Sequence, residues 1–164
     1  MPRTAPTVSD ALSLLAIVAV GLCLVPAGAH LFELPNKMGL PQAQYMTVQR
    51  IYAGWALFGI VILAAIVLTA THAVLTWGRP RAFALSLAAL VLLLASQAVF
   101  WLFTYPMNVA SNNWTVTPEH FEAARQQWEY SHAANAVITF AAFVAITLAA
   151  LAARTDDNQA LPST

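Results

Sequence analysis

Two short spacings in this 164-residue chain bring together side chains able to do chemistry. His30-Leu-Phe-Glu33 and Glu129-Tyr-Ser-His132 each set an imidazole and a carboxylate three residues apart, which on a helix puts both on one face about a turn from each other. Asn135 extends the second stripe. Imidazole titrates near neutrality and suits general-base work, with a neighbouring carboxylate to orient or charge it. The same four side chains, His30, Glu33, Glu129 and His132, are a candidate set for a single transition metal such as iron, manganese, zinc or copper. Glu-x-x-His pairs recur in carboxylate-bridged metal bundles, although a two-metal site there uses four carboxylates and this set has two. A structural reading stands beside both. Glu129 lies four residues after Arg125 and Glu33 four before Lys37, so each carboxylate has a salt-bridge partner on its own segment. His72 reads as structural and His120 as interfacial.

The elements that must position these groups follow from the charges. Seven Lys/Arg balance seven Asp/Glu, charged residues make up 9% of the chain and hydrophobic ones 60%. That is far too little charge to clothe a soluble domain. It also excludes intrinsic disorder and a basic nucleic-acid footprint. The lone cysteine, Cys23, excludes disulfide scaffolds and CxxC sites. No charged residue occurs over 11–32, 51–78, 82–118 or 130–153, and each run exceeds the roughly 20 helical residues that cross a bilayer core. The runs are continuous and rich in Ala and Leu, so helices, not strands, are expected.

The chain is therefore read as one all-α domain, a polytopic four-helix membrane bundle, with the bilayer as its main partner. Its helices are expected over about 11–33, 47–77, 81–105 and 119–153. Pro35, Gly78-Arg79-Pro80 and Pro106 are the expected stops. Thr117-Pro118-Glu119 is the expected cap and first turn of the last helix, and the tails up to Ser9 and from Thr155 lie outside. Ala141, Ala145, Ala149 and Ala153, with Gly54, Ala56, Gly59 and Ala64, are candidate close-packing positions. Arg3, Arg79, Arg81 and Arg154 share one side and Lys37, Arg50 and Arg125 the other, with two of the four in a very short loop. The positive-inside bias then makes both termini cytoplasmic in the cell membrane.

This orientation gathers the polar and aromatic residues at the outer ends of the helices. Trp101, Tyr105, Trp114 and Trp128 converge there in sequence, as walls for a flat apolar ligand, while Trp77 and Tyr130 read as interfacial belt. Gln97 should face the bundle interior. Gln49, Tyr52 and Asn135 are the remaining polar candidates for binding a substrate.

The segments Asn113-Trp-Thr-Val-Thr-Pro-Glu119 and Arg125-Gln-Gln-Trp-Glu-Tyr-Ser-His-Ala-Ala-Asn135, together with Ala29-His-Leu-Phe-Glu-Leu-Pro35 and Gln49-Arg-Ile-Tyr-Ala-Gly-Trp55, resemble a family of small bacterial four-helix membrane proteins similar to the fungal anthrone oxygenases. The likeness covers nearly the whole chain. It implies an oxidoreductase for a hydrophobic aromatic small molecule that requires no cofactor, since loss of a proton from the activated ring methylene gives a carbanion able to reduce dioxygen. His132 with Glu129, or His30 with Glu33, would be the base. The tryptophans would hold the ring, and Asn135, Gln49 or Tyr52 would donate to the enolate oxygen.

Two other classes compete, a non-enzymatic accessory or structural membrane subunit and a haem binder using His30 and His132. Pro26-Ala27-Gly28-Ala29 after a short apolar core also resembles a signal-peptidase site, which ranks below an uncleaved first helix because the positive region before it is weak.

Overall fold

A computed structural model describes residues 7–159; the chain ends, Arg3 among them, lie outside the described residues. The fold is all-α. Its elements are α1 (Val8–Met38), α2 (Gln42–Val48), two 3-10 turns (Gln49–Tyr52 and Trp55–Leu57), α3 (Phe58–Leu75), α4 (Pro80–Val99), a π-helical turn (Phe100–Thr104), α5 (Tyr105–Ala110) and α6 (Phe121–Gln159). Four stretches are long and apolar enough to cross a membrane: Val8–Met38, Trp55–Leu75, Pro80–Ala110 and Phe121–Thr155.

Several boundaries differ from the sequence expectation, each for a local reason. α1 starts early because Thr7 and Asp10 cap it reciprocally: Thr7 Oγ1 accepts from the Asp10 amide and Asp10 Oδ2 from the Thr7 amide. It also runs through Pro35 to Met38, where its last turn is held by the buried contacts of Lys37. The expected second helix, 47–77, is broken at Ala53 and Gly54, where Gly54 takes φ 86°. Only glycine adopts that conformation without cost. The third helix passes Pro106 because the π-helical turn before it absorbs the missing hydrogen bond. Gln127 Nε2 donates to the Phe103 carbonyl of that turn. Thr117 does not cap α6; the helix begins at Phe121, with the His120 carbonyl accepting from Ala124. At its other end α6 continues past Thr155 to Gln159.

α6 packs against α1 and α4, and α3 closes the ring against the same two helices. Small residues fill the centre: Ala16, Ala19, Val20, Cys23, Ala65, Ala89, Leu93, Ala142, Ile146 and Ala149. The α6 seam is thus Ala142, Ile146, Ala149 and Ala153, whereas Ala141 is exposed and Ala145 half-buried. Gly54, Ala56, Gly59 and Ala64 are all exposed, and Ala65 takes the packing role instead. At Gly21 a Cβ would stand 3.4 Å from the Phe143 ring, so α1 and α6 meet there at ordinary contact distance. Such close backbone approach lets dispersion hold helices together where lipid supplies no hydrophobic drive. The outward faces carry the large apolar side chains, Leu63, Val91, Leu102 and Phe140 among them.

Candidate functional site

One end of the bundle buries a polar network that the apolar core does not share. Lys37, in the last turn of α1, places Nζ 2.7 Å from Glu129 Oε1 on α6, and their side chains are 4% and 0% exposed. The Tyr45 hydroxyl, from α2, donates to the same carboxylate oxygen at 2.9 Å. Gln49 Nε2 donates to that hydroxyl at 2.5 Å. Lys37 donates further to Gln49 Oε1 (3.4 Å) and to the Tyr52 hydroxyl (3.1 Å), and Tyr52 in turn donates to Glu33 Oε2. Burial, reinforced by the neighbouring carboxylates, pushes both the Tyr45 and the Tyr52 phenols above their ordinary value. Both phenols therefore remain protonated donors.

Against this network lies a pair of imidazoles. His30 on α1 and His132 on α6 stack with ring centroids 4.0 Å apart and planes inclined by 32°. Trp128 packs edge-on against both, at 4.2 Å from His132 and 4.9 Å from His30. Tyr52 and Trp55, brought in by the broken segment around Gly54, lie 4.5 and 5.6 Å from His30. His30 is buried and its Nδ1 has no hydrogen-bond partner among the described residues, whereas His132, Tyr52 and Trp55 each keep part of their surface exposed. The cluster thus reaches the protein surface on the His132, Tyr52 and Trp55 side. Lys37 Nζ sits 4.6 Å from the Trp128 and Tyr52 ring centroids and joins the two halves of the site.

Behind the site a tight turn is held in an unusual conformation. Asn112, Asn113 and Trp114 have φ of 47°, 53° and 61°, a left-handed run that L-residues other than Asn rarely adopt. The Trp114 amide donates to Ser111 Oγ at 3.0 Å, and its ring packs on Tyr45 (5.3 Å) and Trp128 (5.6 Å). Trp128 Nε1 donates to Asn108 Oδ1 at 2.7 Å, which fixes the ring that faces the imidazoles. The strain at Trp114 is stored where it supports the two rings nearest the buried charges.

The positions expected to act together divide into three groups. His30, Glu33, Gln49, Tyr52, Trp128, Glu129 and His132 converge, and Trp114 reaches the same end through Tyr45 and Trp128. Asn135 is buried one turn beyond His132, with Oδ1 unpartnered among the described residues. Trp101 and Tyr105 do not join them. They stack on each other at 4.8 Å, with 58% and 43% of their surface exposed on the outside of the bundle. Gln97 is half-buried, and Trp77 and Tyr130 are exposed.

The carboxylates also find partners other than those their spacing suggests. Glu129 pairs with Lys37 and not Arg125, whose guanidinium binds Glu122 Oε2 and the Leu40 carbonyl. Glu33 binds Tyr52. Neither carboxylate is hydrogen-bonded to the imidazole a turn away. Among the described residues no group of three His, Cys, Asp or Glu side chains is placed to hold a metal ion. The expected set of His30, Glu33, Glu129 and His132 is split, its imidazoles stacked and its carboxylates turned to Lys37, Tyr45 and Tyr52. Rings stacked at 4.0 Å also leave no room for a haem between them. Of the expected enolate donors, Gln49 and Tyr52 are engaged within the network.

Lys37, Tyr45 and Trp55 are the parts of the site that motif reading passed over. The signal was present in spacing: His30, Glu33 and Lys37 fall at i, i+3 and i+7, and Tyr45, Gln49 and Tyr52 at i, i+4 and i+7, each a single helical stripe.

The fold and this site define an all-α bundle whose four long apolar helices are of membrane-spanning length and which gathers an imidazole pair and a buried ion pair at one end. No protein-family model, curated protein or solved structure matches the chain.

Proposed function

We propose that the protein is a multi-pass protein of the cell membrane, with both termini cytoplasmic, whose His30 end oxidises a planar, lipid-soluble aromatic molecule as anthrone oxygenases do. The observation that carries this reading is the stacked His30–His132 pair, enclosed by Tyr52, Trp55 and Trp128, with His30 Nδ1 unpartnered among the described residues. An aromatic enclosure suits a flat ring, and an imidazole without a carboxylate partner is free to exchange a proton. His132 is the partly exposed member of the pair and His30 the buried one, so this reading assigns His132 to meet substrate.

In this reading His132 removes a proton from the ring methylene flanked by the aromatic rings. The resulting carbanion is delocalised into the ring carbonyl, and the Lys37 ammonium beside Trp128 favours that negative charge. One electron passes to dioxygen, the substrate radical and superoxide combine, and the imidazolium returns its proton to the peroxide. Loss of water leaves a ketone, so that a methylene and dioxygen become a carbonyl and water. The balance calls for no external reductant.

The test is oxygen uptake by the purified protein in mild detergent with anthrone, alongside metal analysis of the same sample. Uptake that requires the protein and is abolished in His132→Ala supports the reading. No uptake with any of a panel of anthrones and phenols, or an unchanged rate in His132→Ala, overturns it. Orientation is tested separately: a cysteine at Glu119 should react with a membrane-impermeant thiol reagent in intact spheroplasts, and one at Gly78 should not.

A further inference from the structure

Six buried side-chain polar atoms lack a hydrogen-bond partner among the described residues, and five of them are at the His30 end: His30 Nδ1, Trp114 Nε1, Arg125 Nε, Glu129 Oε2 and Asn135 Oδ1. Glu129 is the most demanding case. Its side chain has zero exposure, and Oε1 takes both the Lys37 ammonium and the Tyr45 hydroxyl while Oε2 takes nothing. A carboxylate oxygen left without a donor in a low-dielectric interior is costly, and the cost is recovered by whatever supplies a proton donor there.

The surroundings restrict what that donor can be. Lys37 Nζ, 2.7 Å from the other carboxylate oxygen, lies over the Trp128 ring at 4.6 Å, and Trp128 packs on His132 at 4.2 Å. An aromatic molecule resting on the Trp128 and His132 edge lies beside Lys37 Nζ, and through that ammonium beside the buried Glu129 carboxylate, whose Oε2 it reaches once the side chains covering it give way. That pairing matches an ionisable hydroxyl: its O–H donates to Oε2, and any negative charge that develops on its oxygen is met by the ammonium. An ether offers neither. The side of the site that must yield is also the least regular. Tyr52 and Trp55 are half-exposed and sit on 3-10 turns joined through Gly54, outside the regular helices.

We propose that Glu129 Oε2 and Lys37 Nζ form a subsite for an ionisable hydroxyl on the planar aromatic ligand, so that the protein selects phenols over their ethers. The proposal rests on the reading that an aromatic molecule binds at this end, and adds the functional group it must carry. The probes are a β-hydroxyanthraquinone, its methyl ether and the unsubstituted anthraquinone, with binding to the full-length protein in detergent followed by tryptophan quenching. The hydroxyl compound should bind about ten- to a hundredfold tighter than the ether, the range for a hydrogen bond to a charged group. The preference should vanish in Glu129→Gln, which keeps an acceptor for Tyr45 but not the charge. Should that variant not fold, the Lys37→Met/Glu129→Met pair, which buries no unpaired charge, takes its place. Equal binding of hydroxyl compound and ether to the unmutated protein overturns the subsite while leaving the aromatic site standing, as does a preference retained in the variants. No binding of any of the three overturns both.

Discussion

Histidines hold opposite ends of the same bundle, His72 at one and the His30–His132 pair at the other, and the two sites are built on opposite terms. Near the C-terminal end of α3, His72 is 1% exposed and both ring nitrogens lie within hydrogen-bond distance of a serine hydroxyl, Nδ1 of Ser86 Oγ at 2.8 Å and Nε2 of Ser13 Oγ at 3.1 Å. Thr76 Oγ1 returns to the His72 carbonyl at 2.8 Å. One imidazole thereby ties α1, α3 and α4, with a serine hydroxyl at hydrogen-bond distance from each ring nitrogen. At the other end His30 and His132 stack on each other, and among the described residues His30 Nδ1 has no partner and the ion pair beside them leaves a carboxylate oxygen unused. The same residue type serves as a clamp where its bonds are complete and as a candidate for chemistry where they are not. Between the two ends lies the small-residue core from Ala16 to Ala149, which separates them with apolar side chains.

The contrast is open to direct attack. The largest effect is expected at the ion pair. Glu129→Leu strands Lys37 in the interior and should cost about 3–5 kcal/mol of stability, read as a lower unfolding midpoint in detergent. A midpoint close to that of the unmutated protein would mean that Lys37 reaches water. Next comes a crossed pair of variants. His132→Ala should lower oxygen uptake with anthrone by about 10²–10⁴-fold, the range of a lost general base, at little cost in stability. His72→Ala should do the reverse, losing about 1–2 kcal/mol for two interhelical hydrogen bonds while leaving uptake unchanged. Equal loss of activity in both variants would erase the distinction between the two ends.

A smaller effect is expected from pH. The Tyr45 and Tyr52 phenols hold their protons more tightly in the folded chain than the ordinary value of 10.0. Their contribution is complete below that value, and as the pH rises above it the unfolded chain loses protons first, so stability falls. A double Tyr45→Phe/Tyr52→Phe variant should show a shallower alkaline decline in thermal midpoint; an equally steep one would place its origin elsewhere. The smallest change is Gly54→Ala, which forces a Cβ into φ 86° and should cost about 1 kcal/mol, with weaker binding of aromatic probes if Tyr52 and Trp55 shift with the turn.

Much of the fold is legible in the chain because a membrane imposes a coarse rule. Charge-free runs of sufficient length must be helices, whatever packs against them, and the four spans follow from that alone. The internal breaks are less legible. Gly54 reads as one more small residue in an apolar run, and Pro35 and Pro106 read as stops, because their local cost is visible while the contacts that offset it are not. For the candidate site, spacing within one helix placed His30 with Glu33 and Glu129 with His132 on shared faces. It could not show that Glu129 turns to Lys37 or that Trp101 and Tyr105 face outward.

The sequence by itself determines an all-α chain with four stretches able to cross a membrane, and which imidazoles and carboxylates share a helix face, since both follow from composition and from the 3.6-residue turn. Only the tertiary structure decides that Lys37 leaves the tip of α1 to pair with Glu129 of α6, that Tyr45 and Gln49 fold back over that pair, and that His30 meets His132 and not its own Glu33. Those contacts join residues of different helices, and a buried charge takes whichever partner the packing brings within reach, not the nearest one along the chain.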